Sequence, residues 1–274
     1  MNLKEFCNET YSAEYKQSLE AQNKKKKNGE TAAQKFAIGA TFIAAAIHFP
    51  DDNPAVIWDF IAAAHILRKS GVNADPATIE KVISAHQSWN KSSGHAFEEV
   101  LCKKLNESAI DTPIEFLLQR DLSTRIDKGL VSNEGPDIKW LRDNIKESWF
   151  DLYALVNNND RSFVFGCIQS KTSIRDRVTR DREPSLRAME QFFWSVAVVL
   201  NGDFLKLPKF QDMVNGGVTQ EGNGWHAMYC LSDIPAEQRI VCVGSNFGLV
   251  VGHAEAAAKK WINQRQWLNK DWNV

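Results

Sequence analysis

The first third of the chain repeats apolar residues at the spacing of three to four residues that is typical of an amphipathic helix. This spacing predicts helices over residues 36–47 and 56–67. Asp75-Pro76 combines an N-cap residue with a proline at the first helical position, which predicts a third helix running towards His86. A short fourth helix is predicted over residues 94–105. We therefore expect residues 1–85 to form a helical N-terminal domain.

From residue 150 onwards, β-rich segments with a period of two replace the helical spacing. Residues 150–156 and 163–169 are predicted strands, and the four polar residues 157–160 between them predict the turn of a β-hairpin. The later elements are a predicted helix over residues 185–200, strands over 227–231 and 239–243, and a closing helix over 254–267. The expected fold is an α/β domain over residues 86–274.

The net charge of −1 and the pI of about 6.6 argue against a protein that coats nucleic acid through overall basicity. The five cysteines are odd in number and never spaced as C-x-x-C, which favours a reducing compartment over a disulfide framework or a zinc site. The first residues do not resemble a signal peptide, and the longest apolar stretch, residues 37–49, is too short to span a bilayer. We expect a soluble, cytoplasmic protein without a membrane partner.

The predicted hairpin offers a candidate catalytic pair, whereas Walker, H-E-x-x-H, G-x-S-x-G and G-x-G-x-x-G motifs are absent from the sequence. Asp151 lies near the start of the first strand and Lys171 at the end of the second, and a short turn brings these far ends together. A carboxylate can bind Mg²⁺, which polarises a scissile phosphate, while an ammonium positions water or stabilises the transition state. The pair fits phosphodiester hydrolysis, although solvated residues of these types are common at strand ends.

The segment that follows the lysine is basic. Between Lys171 and Arg187 it carries six basic and three acidic residues, a local charge of +3. Arginine can bind guanine O6 and N7 through a bidentate fork, and aspartate can accept from the cytosine N4 amino group, so Arg175-Asp176-Arg177 suits the reading of G·C pairs. The other interpretation is an exposed, salt-bridged loop. A run of four lysines, residues 24–27, also has two interpretations, a phosphate-binding arm and a solvated loop.

Together these segments resemble the type II restriction endonucleases that cut sites with a CCGG core, a group of the PD-(D/E)xK superfamily. The motif layout is most similar to the BsaWI and AgeI enzymes. Residues 87–98 resemble a family block that ends in a catalytic glutamate, and Asp151 stands where the family has its metal-binding aspartate. Lys171 followed by Asp176-Arg177 resembles the catalytic lysine and the acidic-Arg pair that reads the core. The match extends from about Asn53 to Arg187 and implies a mixed β-sheet flanked by helices.

The resemblance implies an active site of Glu98, Asp151 and Lys171, with Mg²⁺ bound by the two carboxylates. The implied reaction is Mg²⁺-dependent hydrolysis of double-stranded DNA at a palindromic site, which leaves 5′ staggered ends and needs no nucleotide cofactor. Because a palindrome is cut on both strands, we expect a homodimer or a tetramer. The helical N-terminal domain would then dimerise or contact the DNA flanks.

The resemblance also implies which residues read the bases. Asp176 would contact cytosines and Arg177 a guanine. Lys91 stands where a basic residue of the glutamate-bearing segment would read a second guanine, and Arg175 competes for a neighbouring contact.

The sequence departs from the standard core in one position. That core has an acidic residue two positions before the lysine, whereas this chain has Gln169. CCGG cutters commonly supply the missing carboxylate from elsewhere, and this favours Glu98 as the replacement. Glu183 and Glu190 are alternative acids.

Pro136-Asp137 is a second place where the metal-binding aspartate could lie, since it matches the Pro-Asp pair that begins the PD-(D/E)xK motif. We prefer Asp151 because it opens the hairpin that Lys171 ends. The other interpretation of Pro136-Asp137 is a turn or the start of a helix.

Two rival functions remain open. A nuclease with the same core, acting in repair or on RNA, would share Asp151 and Lys171 but would need no Arg-Asp-Arg reader. A non-catalytic DNA-binding protein would show a helix-turn-helix with basic residues on its second helix, and residues 54–69 are too apolar to provide one.

Overall fold

A boundary between Val100 and Leu101 divides the chain into two units in the computed structural model. The structure describes residues 1–22, 29–71, 76–173 and 178–273. The predicted domain boundary after residue 85 falls earlier, inside a helix that continues into the second unit. The lysine run and the predicted reader residues 175–177 lie outside the described residues.

The first unit is helical, as predicted. Its elements are α1 (Leu3–Gln22), α2 (Gly29–His48), α3 (Pro54–Ser70) and most of α4 (Pro76–Ser108). The Asn53 side chain caps α3 by accepting from the Ala55 amide at 2.8 Å, and Pro54 occupies the first turn. The ring of Trp58 packs edge-on against Phe42, Trp89 and Phe97 in the core.

The prediction of two separate helices before and after Gly94 is wrong, because α4 runs through both without a break. Gly94 does not adopt the left-handed backbone that would end a helix. A glycine inside a helix reduces its stability but keeps the hydrogen-bonding pattern available.

The second unit is built on a mixed sheet, which confirms the α/β prediction. Its strands, in their order across the sheet, are β1 (Ile114–Leu118), β2 (Leu152–Asn158), β3 (Arg161–Ser173), β4 (Trp194–Asn201), β5 (Ala227–Cys230) and β6 (Ile240–Cys242). The first three are antiparallel and the last four run parallel. The flanking helices are α5 (Gln119–Asp127), α6 (Gly135–Glu147), α7 (Val178–Glu190), α8 (Pro208–Asn215) and α9 (Phe247–Gln264), with 3₁₀ turns at Asp203–Lys206 and Arg265–Trp267.

The β2–β3 hairpin is confirmed, with a tighter turn than predicted. Asn159 and Asp160 form its two-residue loop with φ angles of 46° and 59°. Two successive positive φ angles match the twist of antiparallel strands, and Asn and Asp tolerate them well. β3 continues beyond the predicted end at residue 169, because its last residues pair with the parallel strand β4, where Lys171 lies opposite Val199.

The predicted helix over residues 185–200 is only half correct. Helix α7 ends at Glu190, and the following residues form β4, whose side chains are buried from Trp194 to Leu200. A strand covered on both faces carries a continuous apolar run, which periodicity cannot distinguish from a buried helix. A Cβ at Gly166 of β3 would lie 2.9 Å from Cε3 of Trp194, so the absence of a side chain there allows the two strands to pair closely.

Two apolar clusters lie side by side on one face of this sheet, because Cys167 of the first pairs with Ser195, whose side chain is on the same face as that of Ala197 in the second. One joins β2 and β3 to α5, α6 and α7 through residues such as Phe150, Leu155 and Phe193. The other joins β4 and β5 to α8 and the 3₁₀ turn at 203–206 through Val199, Phe204 and Trp225. The predicted strands near residues 227 and 240 are confirmed, and the closing helix begins at Phe247, before its predicted start. None of the helices in the described residues is long and apolar enough to cross a membrane.

Candidate active site

The carboxylate of Asp151 and the ammonium of Lys171 meet at the end of the β2–β3 hairpin. Oδ2 of Asp151 lies 3.3 Å from Nζ of Lys171. The Asp151 side chain is 19% exposed and that of Lys171 is 23% exposed, so each keeps an opening to solvent. The structure thus brings together the two residues that the hairpin pattern predicts as neighbours.

The Asp151 side chain is fixed by the backbone of the neighbouring strand. Its Oδ2 accepts from the amide of Ser170 at 2.7 Å, and its own amide donates to the carbonyl of Ile168 at 3.0 Å. The carboxylate therefore accepts a hydrogen bond from a β3 amide that lies beyond the end of the β2–β3 ladder. The last residue pair of that ladder at this end is Leu152 with Ile168. This arrangement places the carboxylate one residue from Lys171 along β3.

The donors at this position suit a hard cation. Oδ1 of Asp151 accepts no hydrogen bond from any residue that the structure describes. Within the same residues, no three His, Cys, Asp or Glu side chains cluster as they would in an all-protein metal cage. Mg²⁺ is usually held by one or two carboxylates, with water and substrate phosphate completing its shell, so this donor set fits Mg²⁺ better than zinc.

Gln169 occupies the position where the standard core has an acid, and its side chain is 1% exposed. Its Nε2 donates to the carbonyls of Trp149 at 3.3 Å and Asp181 at 2.9 Å. Its Oε1 accepts from Nε1 of Trp225 at 2.8 Å. A neutral amide is required here, because a carboxylate would direct an oxygen at two carbonyl oxygens.

Asp137, the alternative metal aspartate, is a buried acid that forms an ion pair with the half-buried Arg265. Its two carboxylate oxygens accept from the terminal nitrogens of Arg265 at 2.7 and 2.8 Å. Pro136 occupies the first turn of α6, which agrees with the interpretation of Pro136-Asp137 as a helix start. Because Arg265 occupies both oxygens, we assign Asp137 a structural role.

The other predicted acids and Lys91 lie on helices. Glu183 is exposed on α7 and forms an ion pair with Arg187 one turn later, and Glu190 is exposed at the end of the same helix. Glu98 lies on α4 in the first unit, half-buried, with Oε2 3.3 Å from Nδ1 of His95. Lys91 is exposed on the same helix.

In the part of the basic segment that the structure describes, from Val178 to Arg187, the arginines are less available to DNA than their charge predicts. The guanidinium of Arg182 donates to three backbone carbonyls, those of Met213, Glu221 and Gly222, at 2.9–3.2 Å, and burial lowers its pKa. Arg187 is paired with Glu183 on an exposed helix face. Arg180 is exposed, with its guanidinium carbon 5.8 Å from the centre of the Trp149 ring. Counting charges along the sequence missed these intrachain contacts.

Comparisons with known proteins agree with this architecture. A family model of the BsaWI type 2 restriction endonucleases matches residues 136–267. The chain is 50% identical to the restriction endonuclease BsaWI, solved as a pre-specific complex with DNA, over 100% of this chain and 99% of that one, with a TM-score of 0.71. The chain belongs to the BsaWI family of type II restriction endonucleases. It is therefore a type II site-specific nuclease, as the resemblance implies.

A second solved structure extends the likeness in fold. The restriction endonuclease AgeI, in a specific complex with DNA, is 19% identical over 82% of this chain and 78% of that one, with a TM-score of 0.54. None of the curated proteins compared with the chain matches it. Asp151 and Lys171 lie inside the range of the family model, whereas Glu98 and Lys91 precede it.

Proposed function

We propose that this BsaWI-family enzyme hydrolyses double-stranded DNA in a Mg²⁺-dependent reaction at a palindromic site with a CCGG core, and that it leaves 5′ staggered ends. The observation that carries the proposal is the contact of 3.3 Å between Oδ2 of Asp151 and Nζ of Lys171. It joins a carboxylate that can bind a metal to a cation that can face a phosphate. The DNA complexes of BsaWI and AgeI support double-stranded DNA as the substrate.

Asp151 and Glu98 are the residues proposed to hold the metal ion. Bound Mg²⁺ would polarise the scissile phosphate and lower the pKa of a water molecule. Asp151 contributes the oxygen that accepts no bond within the described residues, while its other oxygen stays anchored to the amide of Ser170. An anchored carboxylate presents its open oxygen in a fixed direction, which reduces the reorganisation needed when the substrate arrives.

Lys171 is proposed to act on the phosphate itself. Its ammonium lies beside Asp151 on the outer part of β3 and retains 23% exposure, so it can contact a phosphate oxygen in the open site. In the transition state that oxygen gains negative charge, and a preformed cation beside it stabilises the charge more than it stabilises the ground state. The salt bridge to Asp151 holds the ammonium ready in the absence of substrate.

Recognition is proposed to fall to the residues that resemble the family's readers. Asp176 would accept from cytosine N4, and Arg177 would donate to guanine O6 and N7. Lys91 would contact a second guanine, with Arg175 as the competing candidate for a neighbouring base. Basic side chains that donate to guanine and an acidic side chain that accepts from cytosine suit a core made only of C and G.

Two copies of the chain are proposed to act on one site. A palindrome presents the same half-site twice, so a two-fold symmetric dimer places one active site on each strand. A tetramer that engages two sites is the larger assembly compatible with the same symmetry. The helical first unit is the part proposed to contact the second copy or the DNA flanks.

Digestion of a fully sequenced plasmid tests the reaction, the site and the stagger together. We expect discrete fragments in the presence of Mg²⁺ and none with EDTA, and sequencing of the ends should place every cut within CCGG with a 5′ overhang. Asp151→Asn, purified identically, controls for contaminating nucleases and should leave the plasmid intact. Cutting at random positions, or cutting at sites without CCGG, would refute the proposed specificity.

A further inference from the structure

Gln169 lies where three segments around the active site converge. It is on β3, two residues before Lys171. Its bond to the carbonyl of Trp149 reaches the backbone two residues before Asp151, and its bond to the carbonyl of Asp181 reaches the first turns of α7. A single buried amide is therefore bonded to the segments that carry both members of the proposed catalytic pair.

The hydrogen bonds leave this side chain with one possible orientation. Both hydrogens of Nε2 face carbonyl oxygens, and Oε1 faces the indole N–H of Trp225 at 2.8 Å. Rotating the amide by half a turn would place oxygen against two oxygens and nitrogen against a donor. With 1% exposure, water cannot replace any of these partners without opening the core.

The contacts hold the catalytic pair from two sides. On one side, Oδ2 of Asp151 is bound to the amide of Ser170. On the other, the Gln169 amide ties β3 to the backbone at Trp149, so the chain entering Asp151 and the chain entering Lys171 cannot shift past each other. The distance between a carboxylate and an ammonium that act on one phosphate depends on this relative position.

We propose that Gln169 is a positioning residue for DNA cleavage, whose buried amide sets the position of Lys171 relative to Asp151. This inference rests on the proposed function of that pair. The Gln169 side chain neither binds metal nor contacts DNA; it acts through the backbone of the segments on which the pair lies. Trp225 supports it by holding Oε1.

Gln169→Glu is the most direct test, because it keeps the shape and the bond to Trp225 while directing an oxygen at the two carbonyls. We expect a single-turnover cleavage rate about 10–100-fold below that of the natural protein, since small misplacements of reacting groups have effects of this size. DNA affinity, measured without a divalent metal, should stay close to that of the natural protein. A loss in rate without a loss in binding is not expected of a purely structural defect.

Asn133→Asp is the matched control, because it converts another buried amide into an acid. Asn133 bonds to the backbone of Val164, towards the opposite end of β3 from Lys171. It should lower the melting temperature but keep the single-turnover rate at a permissive temperature. If Gln169→Glu does not fold, Trp225→Phe removes the bond to Oε1 together with part of a buried ring, leaves both Nε2 bonds in place, and should lower the rate in the same direction.

Combination with Glu98→Ala separates positioning from metal binding. A carboxylate at position 169 that reached the metal would restore cleavage to the Glu98→Ala protein, and such a rescue would overturn the inference. Cleavage at the natural rate by both Gln169→Glu and Trp225→Phe would also overturn it. Failure of the proposed function looks different: Asp151→Asn and Lys171→Met would then cleave normally, whatever the result at position 169.

Discussion

The guanidinium of Arg265 binds both carboxylate oxygens of Asp137, at 2.7 and 2.8 Å. The same guanidinium donates to the carbonyl of Gln191, which follows α7, and lies 5.3 Å from the centre of the Phe193 ring. Asp137 therefore fastens the start of α6 to the chain beyond α9. This contact explains why Asp137 is buried, although Pro136-Asp137 also matches the first two residues of a nuclease motif.

Exchanging each aspartate for asparagine tests the structural role of Asp137 against the catalytic role proposed for Asp151. Asp137→Asn should lower the free energy of unfolding by about 2–3 kcal/mol, because a charged, bidentate pair is broken and Arg265 loses its counter-ion. Cleavage by the folded protein should persist. Asp151→Asn should abolish cleavage, and urea unfolding with plasmid cleavage measures both effects. Loss of cleavage in folded Asp137→Asn would contradict these roles.

Lys171→Met should remove catalysis and spare recognition. Methionine keeps the aliphatic length of the side chain but has no charge to stabilise the phosphate in the transition state. We expect a single-turnover rate lower by about a hundredfold or more, the size of effect seen when one stabilising donor is removed. Gel-shift titration should show specific DNA binding largely intact.

Lys206→Met is the matched control for this change. Lys206 is an exposed lysine whose ammonium pairs with Asp203 at 2.6 Å. Its replacement should leave both the cleavage rate and the affinity at natural levels. Normal cleavage by Lys171→Met would remove that lysine from the active site.

The neighbourhood of Asp151 and Lys171 could be predicted because its signals are local. Alternating residues fix which face each strand presents, and the Asn159-Asp160 turn fixes the register, so the two ends must meet. β4 could not be predicted as a strand, because a fully buried parallel strand loses its alternation. Whether such an apolar segment becomes a strand or a helix depends on the elements that pack against it, and the local pattern does not encode these.

The partners of buried polar residues lie far away in the sequence. Asp137 and Arg265 are separated by 128 positions, and Gln169 and Trp225 by 56. Arg182 counts as basic in the sequence, but the fold uses its charge to hold three carbonyls. Composition predicts that such groups exist, whereas only the fold determines which of them remain available to a ligand.

His226 should make the protein less stable in acid. Burial lowers its pKa to about 4, and the neutral ring accepts from the amide of Ser195 at 3.0 Å and donates to the carbonyl of Asn269 at 2.8 Å. Between the ordinary value near 6.5 and about 4, the unfolded chain binds a proton that the folded chain does not. Its contribution to stability is therefore complete above that window and is lost as the pH falls through it.

Urea unfolding across this window measures the effect against His226→Gln. The slope attributable to this histidine is at most about 1.4 kcal/mol per pH unit. Burial also lowers the pKa of His65 and His253, so the natural protein keeps part of its slope from other groups. Between about pH 6.5 and 4, the free energy of unfolding should fall less steeply with decreasing pH in the variant than in the natural protein, and outside this range the two slopes should agree. Identical slopes in the two proteins would show that His226 is not the neutral group described.

Arg177→Ala should weaken the discrimination of CCGG from related sequences. A bidentate contact to guanine contributes about 1–3 kcal/mol of discrimination, so the ratio of cleavage at CCGG to cleavage at a site with one substituted base should fall by about 5- to 150-fold. Arg187→Ala is the control from the same basic segment, since Arg187 is exposed and paired with Glu183. That variant should keep the ratio, because a solvated pair one helical turn apart contributes little. If both variants change the ratio equally, the segment attracts DNA through charge alone and Arg177 reads no base.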